Sequence, residues 1–388
     1  MQKGLLAILH FNPIELYPPI INVLNYLAEA RSDIKVFVYT CSSNKIKEKY
    51  SSTSDHIHIE RYLELDNQVS LPRRYYQYFT YYYKTYRSLT KLHPEWIWYF
   101  ESISALPASW YFRKKKNQDS KLFVHYHEYV APEEYDGALL FKWIHKTEKR
   151  LYRLVDRLSH TNEKRMELFL RDNQISLEGK TYIFPNYPPQ TWALSDNKKQ
   201  SIGKPVRIVH VGSIGLGSLY MKEFCEWVDK QNGQVLFDIY STQDSTELQN
   251  FLSDSQYRFI FIKGYIAYER LPTILSNYDV GVILYKGVIP NHVYAVSNKL
   301  FEYWACGLDI WFSDKMVSSL PFARYQFWPK LLPIDFERLD QLDLATTISH
   351  EGLNYQPSDY YCEPLFEDFF EQCGMTGNKG ISREDTNG

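Results

Sequence analysis

The feature that most constrains the fold is the run Ser297-Asn298-Lys299-Leu300-Phe301-Glu302-Tyr303-Trp304-Ala305-Cys306-Gly307, set between two short apolar runs. Upstream, Asp279 to Tyr285 has the composition of a fully buried strand; downstream, Asp309 to Phe312 has the same character. Ser297 or Asn298 is placed to cap a helix between them, and Gly307 to end it. A strand-loop-helix-strand unit of this kind belongs in a parallel α/β sheet. In such sheets ligands sit beyond the carboxyl ends of the strands, so the loop 286–296 and the first helical turn should line a crevice. Asn298 and Glu302, four residues apart, share one helical face. An amide and a carboxylate thus stand together at a helix start.

The run from Asp279 to Gly307, with Asn298-Lys299-Leu300-Phe301-Glu302-Tyr303 and then Ala305-Cys306-Gly307-Leu308, resembles the donor site of GT-B glycosyltransferases, close to family 4. The resemblance implies two Rossmann-like, doubly wound α/β domains facing across a cleft. It also implies that Glu302 binds the ribose hydroxyls of a sugar nucleotide, with Asn298 and Lys299 near the diphosphate. The chemistry agrees: a vicinal diol suits a two-oxygen acceptor, and a helix start beside a lysine suits a dianion. The plainer alternative is a solvated helix in which Glu302 pairs with Lys299.

Composition narrows the class. The chain has 388 residues, enough for two domains with their own cores, and a formal net charge of -2. That charge balance argues against a nucleic-acid partner. Five cysteines without close pairing favour a reducing, cytoplasmic setting and offer no metal framework. The apolar run Leu5 to Leu9 is short for a secretory signal and reads as a first strand. No apolar run approaches the roughly 20 residues that cross a bilayer.

The first strand, a helix over 20–30 and a strand over 35–39 make a β-α-β opening. Its loop, His10 to Pro19, contains no glycine, which suits a face for the acceptor better than a phosphate cradle, and Glu15 is its candidate contact. From Tyr75 through Tyr86, eight of twelve residues are Tyr or Phe, with Arg73, Arg74, Lys84 and Arg87 around them. Such a segment, 73–87, fits a peripheral contact at the inner face of a membrane, or a helix packed within the first domain. The strand Lys121 to Val124 runs into His125-Tyr126-His127-Glu128. By the resemblance, His127 faces the transferred sugar, donating to a hydroxyl or stabilising developing charge, and Glu128 is the base if the reaction inverts. A zinc site is a poorer reading, since no helical His spacing or nearby cysteine supports it.

An amphipathic stretch, 139–157, and the segment 158–163 complete the first domain, 1–186. A linker, 187–205, follows Pro185-Asn186. The second domain, 206–355, opens with Val206 to Val211 and a glycine-containing turn in which Gly212, Ser213 and Gly215 are candidate nucleotide contacts. Lys263, and further off Lys222, are candidate cations. A segment 356–374 is expected to cross back to the first domain as a helix, leaving a mobile tail at 375–388. Two departures from the family stand out: Tyr294 replaces a usual glutamate, and the 212–218 turn lacks the usual cations.

The resemblance therefore implies sugar transfer from a nucleotide sugar to a saccharide or lipid-linked saccharide, with retention. Without an Asp-x-Asp motif, neither a metal nor a cofactor is expected. A GT-B sugar-nucleotide epimerase and a non-catalytic partner in polysaccharide assembly are the alternatives.

Overall fold

A computed structural model describes residues 4–46, 48–66, 69–137, 139–194, 204–241, 246–255 and 257–375. The first sheet holds β1 (Gly4–Leu9), β2 (Ile34–Ser43), β3 (Ile57–Leu65), β4 (Trp96–Phe100), β5 (Lys121–Tyr126), β6 (Arg157–His160) and β7 (Thr181–Ile183). Their order is β3-β2-β1-β4-β5-β6-β7, and every neighbouring pair is parallel. The second sheet holds β8 (Val206–Val211), β9 (Val235–Tyr240), β10 (Ile260–Gly264), β11 (Val280–Ile283), β12 (Asp309–Ser313) and β14 (Leu331–Ile334), in the order β10-β9-β8-β11-β12-β14 and again all parallel. A separate two-stranded pair joins β13 (Phe327–Trp328) to β15 (Asn354–Tyr355).

Parallel strands need crossovers, and here helices cover both faces of each sheet, so the central strands are buried on both sides. Every residue of β4, β11 and β12 is buried. One face of the first sheet packs Leu6, Trp98 and Phe123; the other packs Tyr99, Tyr111 and Tyr152. In the second sheet Phe224, Trp227 and Trp311 lie on one face, with Leu300, Tyr303 and Phe312 on the other. Strand order reverses at β1/β4 and at β8/β11. The two switch points create crevices beyond the carboxyl ends of those strands.

The helix Cys362–Gln372 places Phe366, Phe369 and Phe370 in the core of the first sheet, where the Phe369 ring stacks on Trp98 at 4.9 Å. Met375, expected to open a mobile tail, is buried in that same core. The tail beyond it, and linker residues 195–203, lie outside the described residues.

Three elements depart from the sequence reading. β3 was not expected: it is an edge strand of mixed exposure whose charged residues dilute the apolar signal. The stretch 139–157 is not one helix but Leu139–Glu148, a short 3-10 turn at Leu151–Arg153 and the start of β6. The aromatic segment lies within a longer helix, Leu71–Leu92, that is two-faced. Tyr81, Tyr82, Thr85 and Leu89 are buried, whereas Leu71, Tyr75, Tyr76, Phe79 and Tyr83 face outward.

Candidate functional site

A cleft cavity of about 340 Å³ lies between the carboxyl ends of the two sheets. From the first domain it is lined by the loop after β1 (Leu16, Tyr17), the end of β5 (His127, Glu128), Arg165 in the helix Glu163–Asn173, and Asn186. From the second come Gly212 and Ser213 after β8, the loop after β11 and the helix Asn298–Ala305. Seven predicted site residues therefore meet in one place: His127, Glu128, Gly212, Ser213, Asn298, Lys299 and Glu302.

Glu302 is 4% exposed, because its helix packs tightly against the sheet. Asn298 Nδ2 donates to Glu302 Oε1 at 2.8 Å. Burial raises the Glu302 pKa above the ordinary carboxylate value, and Lys299, Asn298 and Tyr268 partly oppose that. The expected alternative, an ion pair with Lys299, is not formed. Among the described residues Lys299 has no hydrogen-bond or ion-pair partner, and its chain crosses over Gly212. A Cβ on Gly212 would lie 2.8 Å from Lys299 Cε, and the Gly212 φ of +133° is itself poorly suited to an L side chain. Glycine here lets the ammonium sit over the backbone of the turn. The capping expectation is corrected: Ser297 accepts no cap bond through its side chain, and its Oγ is buried without a partner. Asn298 spends its side chain on Glu302 rather than on the helix end.

His127 is locked from three sides. Its backbone N–H donates to Glu101 Oε1 at 2.6 Å, its carbonyl accepts from Arg165 Nη1 at 2.9 Å, and its ring stacks on Phe100. Burial first, then neighbouring His125 and His10, holds its pKa well below the usual imidazole value, so the ring is neutral. His125 is depressed likewise, by burial and then His160. The Ser159 hydroxyl lies 3.1 Å from Val124 O and pairs with His125 Nδ1 at 2.9 Å. His125 Nε2 and His127 Nδ1 share a hydrogen bond of 3.1 Å. His127 Nε2 is buried at the cavity, makes no hydrogen bond, and has the Asn186 side chain beside it.

Two residues of this wall carried no local sequence signal. Glu101 follows β4 at φ 63° and ψ 149°, a region that favours glycine, and its carboxyl is pushed up to about 8 by burial and then by Glu128. Arg165 is 6% exposed and binds Thr161 Oγ1 and Asn291 O as well as His127 O. Buried polar atoms without partners recur around the cavity: His127 Nε2, Arg165 Nε, Asn186 Oδ1, His292 Nδ1 and Ser297 Oγ. Such atoms are costly unless a polar ligand meets them.

Three predicted residues lie elsewhere. Gly215 sits farther along the turn and does not line the cavity. Lys263, on edge strand β10, pairs with Asp238 at 3.5 Å. Glu15 accepts from Arg61 at 2.5 Å and from the Tyr50 N–H at 3.0 Å, and lines a separate cavity with Glu48, Tyr265 and Glu269. Tyr294, at the position of the missing glutamate, packs toward Tyr129 and Leu168 of the first domain, and its carbonyl accepts from Asn162 Nδ2. Among the described residues, no three His, Cys, Asp or Glu side chains group to hold a metal ion.

No protein-family model matches the chain, and no curated protein matches it by sequence. Solved structures do match in shape. Sucrose-phosphate synthase from Thermosynechococcus elongatus superposes with a TM-score of 0.64 at 14% identity, covering 96% of this chain and 94% of that one. Anabaena HepE in complex with UDP and glucose gives 0.62 at 10% identity, covering 96% and 97%. A putative UDP-N-acetylglucosamine 2-epimerase from Listeria monocytogenes gives 0.54 at 9% identity, covering 97% and 98%. Two parallel-sheet domains of seven and six strands, facing across a cleft, give this chain the GT-B fold.

Proposed function

We propose that the protein is a glycosyltransferase that moves a sugar from a nucleotide-sugar donor to a saccharide or lipid-linked saccharide acceptor. The observation that carries this reading is the buried Glu302 carboxylate, aligned by Asn298 on the second-domain side of the cleft, beside the Gly212 turn and Lys299, which makes no ion pair among the described residues. A carboxylate held in this way accepts from both hydroxyls of a ribose, and a lysine over a glycine turn meets a diphosphate. Across the cleft, His127 Nε2 would meet a hydroxyl of the transferred sugar, donating to it or stabilising developing charge, and Glu128 stands at the cavity wall as the base for an inverting reaction. The family resemblance favours retention, with the departing diphosphate assisting attack on the same face, and the reaction is expected to need no metal.

The acceptor is proposed to arrive at a membrane surface on the cytoplasmic side. The outward face of the helix Leu71–Leu92 presents Tyr75, Tyr76, Phe79 and Tyr83, and the neighbouring helix adds Leu139 and Trp143. Arg73, Lys84 and Arg87 surround them. Aromatics at headgroup depth with cations beside them suit an anionic bilayer. No helix among the described residues is long and apolar enough to cross a membrane.

A thermal-shift panel of UDP, GDP, ADP, CMP and NAD tests the donor site. A ligand at 100 times its Kd adds about 2.7 kcal/mol to stability. One nucleoside diphosphate should raise the melting temperature of the wild type, and Glu302→Ala should weaken its binding by roughly 10- to 100-fold. Unchanged affinity in Glu302→Ala removes Glu302 from the site. If no nucleotide shifts the wild type, the non-catalytic assembly partner becomes the better account. Donor turnover without acceptor would favour an epimerase, a reading to which the Listeria structure lends some weight.

A further inference from the structure

We propose that Arg165, carried by the first domain, binds the diphosphate of the donor together with Lys299 of the second, so that the anion is held from both sides of the cleft. The inference rests on the nucleotide-sugar reading above and adds a residue that the resemblance does not supply.

The argument begins with a shortage of charge. The turn 212–218 has no cation, Lys263 is paired with Asp238, and Lys222 is exposed over the Phe251 ring. Among the described residues lining the cavity, the Lys and Arg side chains are Lys299 and Arg165. Arg165 is nine-tenths buried, yet its hydrogen bonds go to uncharged oxygens: His127 O at 2.9 Å, Thr161 Oγ1 at 2.9 Å and Asn291 O at 2.8 Å. It has no ion-pair partner among the described residues. The Glu128 carboxylate of the same cavity acts on this charge without pairing with it, and a phosphate entering the cavity would give the buried guanidinium a directly bonded counter-ion.

Geometry makes the match more specific. Both Nη1 hydrogens and one on Nη2 are used, which leaves N–H groups on Nε and Nη2, two nitrogens on the same guanidinium carbon. That fork suits two oxygens of one phosphate. His292 lines the same cavity as both cations. Its ring stacks on Tyr285 at 4.3 Å, and after burial the two influences that depress its pKa are Arg165 and Lys299. Both charges therefore act on one ring at the cavity wall. The bond from Arg165 Nη2 to Asn291 O also crosses between domains, beside the bond from Tyr129 N–H to Asn291 Oδ1. The side chain that meets the anion thus also helps hold the cleft closed.

The test uses the full chain and whichever of UDP, GDP or ADP stabilises the wild type, with the matching nucleoside as control, in calorimetric titrations. Arg165→Gln should weaken the diphosphate by about 10- to 100-fold while leaving nucleoside affinity unchanged. Arg165→Lys should fall between the two. Equal losses for diphosphate and nucleoside, or none for either, would overturn the assignment while leaving the donor site intact. Failure of every nucleoside diphosphate to bind the wild type would overturn the donor-site reading and this proposal with it. Should neither variant fold, a crystal structure of the wild-type complex decides. A phosphate oxygen hydrogen-bonded to Arg165 upholds the proposal, and a diphosphate held by Lys299 without touching Arg165 overturns it.

Discussion

Glu101 holds a backbone conformation that costs a non-glycine residue about 1–3 kcal/mol. What it gains is a carboxyl that accepts the N–H groups of His127 at 2.6 Å and Glu128 at 3.3 Å, fixing the strand end that faces the cleft. Burial raises its pKa from 4.5 to about 8, so the folded state keeps a proton that the unfolded chain has released. The sign follows directly. Stability from this group is complete below about 4.5 and is lost as pH rises toward 8, by at most about 1.4 kcal/mol per pH unit. Glu101→Gln mimics the protonated form and should lose less stability over this window. Urea unfolding of both proteins across the window checks this, because contributions from buried histidines such as His10 cancel in the difference. Parallel stability curves would show that Glu101 is ionised in both states.

The unit β11, helix Asn298–Ala305 and β12 owes its close packing to Gly281. A Cβ there would fall 2.2 Å from Tyr303 Cδ2, and the Tyr303 hydroxyl accepts from the Val211 N–H at the base of the Gly212 turn. One missing methyl group thus sets the height of the helix that carries Lys299 and Glu302. Gly281→Ala should destabilise the protein by about 1–3 kcal/mol, as overpacking does, and weaken nucleotide binding with it. Gly217→Ala is the matched control, since a Cβ there meets nothing within 4 Å and its φ is not positive. Similar urea midpoints for the two variants would remove Gly281 as the cause.

The two domains are joined in the chain's last helix as well as at the cleft, since Cys362–Gln372 completes the core of the first sheet after the second sheet has been built. The outward aromatic face lies on the first domain, and the stacking of Phe11 on Tyr78 at 4.8 Å ties its helix to the loop after β1. A lipid-linked acceptor delivered at that face would be close to the cleft. The protein should therefore sediment with vesicles containing anionic phosphatidylglycerol and much less with phosphatidylcholine alone. The double variant Tyr76→Asp, Tyr83→Asp should abolish sedimentation without lowering the melting temperature, since Tyr76 is 70% and Tyr83 56% exposed. Undiminished binding by that variant would place the membrane contact elsewhere.

Local patterns were enough for the alternating strands and helices, because a strand buried on both faces must be continuously apolar and a helix ended by Gly307 must stop there. Trp96–Phe100, Val280–Ile283 and Asn298–Ala305 could be read in this way, and Glu302 with them. β3 could not, because the exposed His58, Glu60 and Glu64 interrupt its apolar run. Nor could the partners of Glu15 and Lys263, whose charges are spent on Arg61 and Asp238. The other wall of the cleft was decided in three dimensions. Glu101 and Arg165 are distant in sequence and converge on His127 because parallel strands deliver their loops to the same end of the sheet, where Asn291 of the second domain meets Arg165. The sequence determined which segments could be buried. Only tertiary structure decided which buried charges lacked a partner, because that depends on the neighbours that packing brings and not on the residues beside them in the chain.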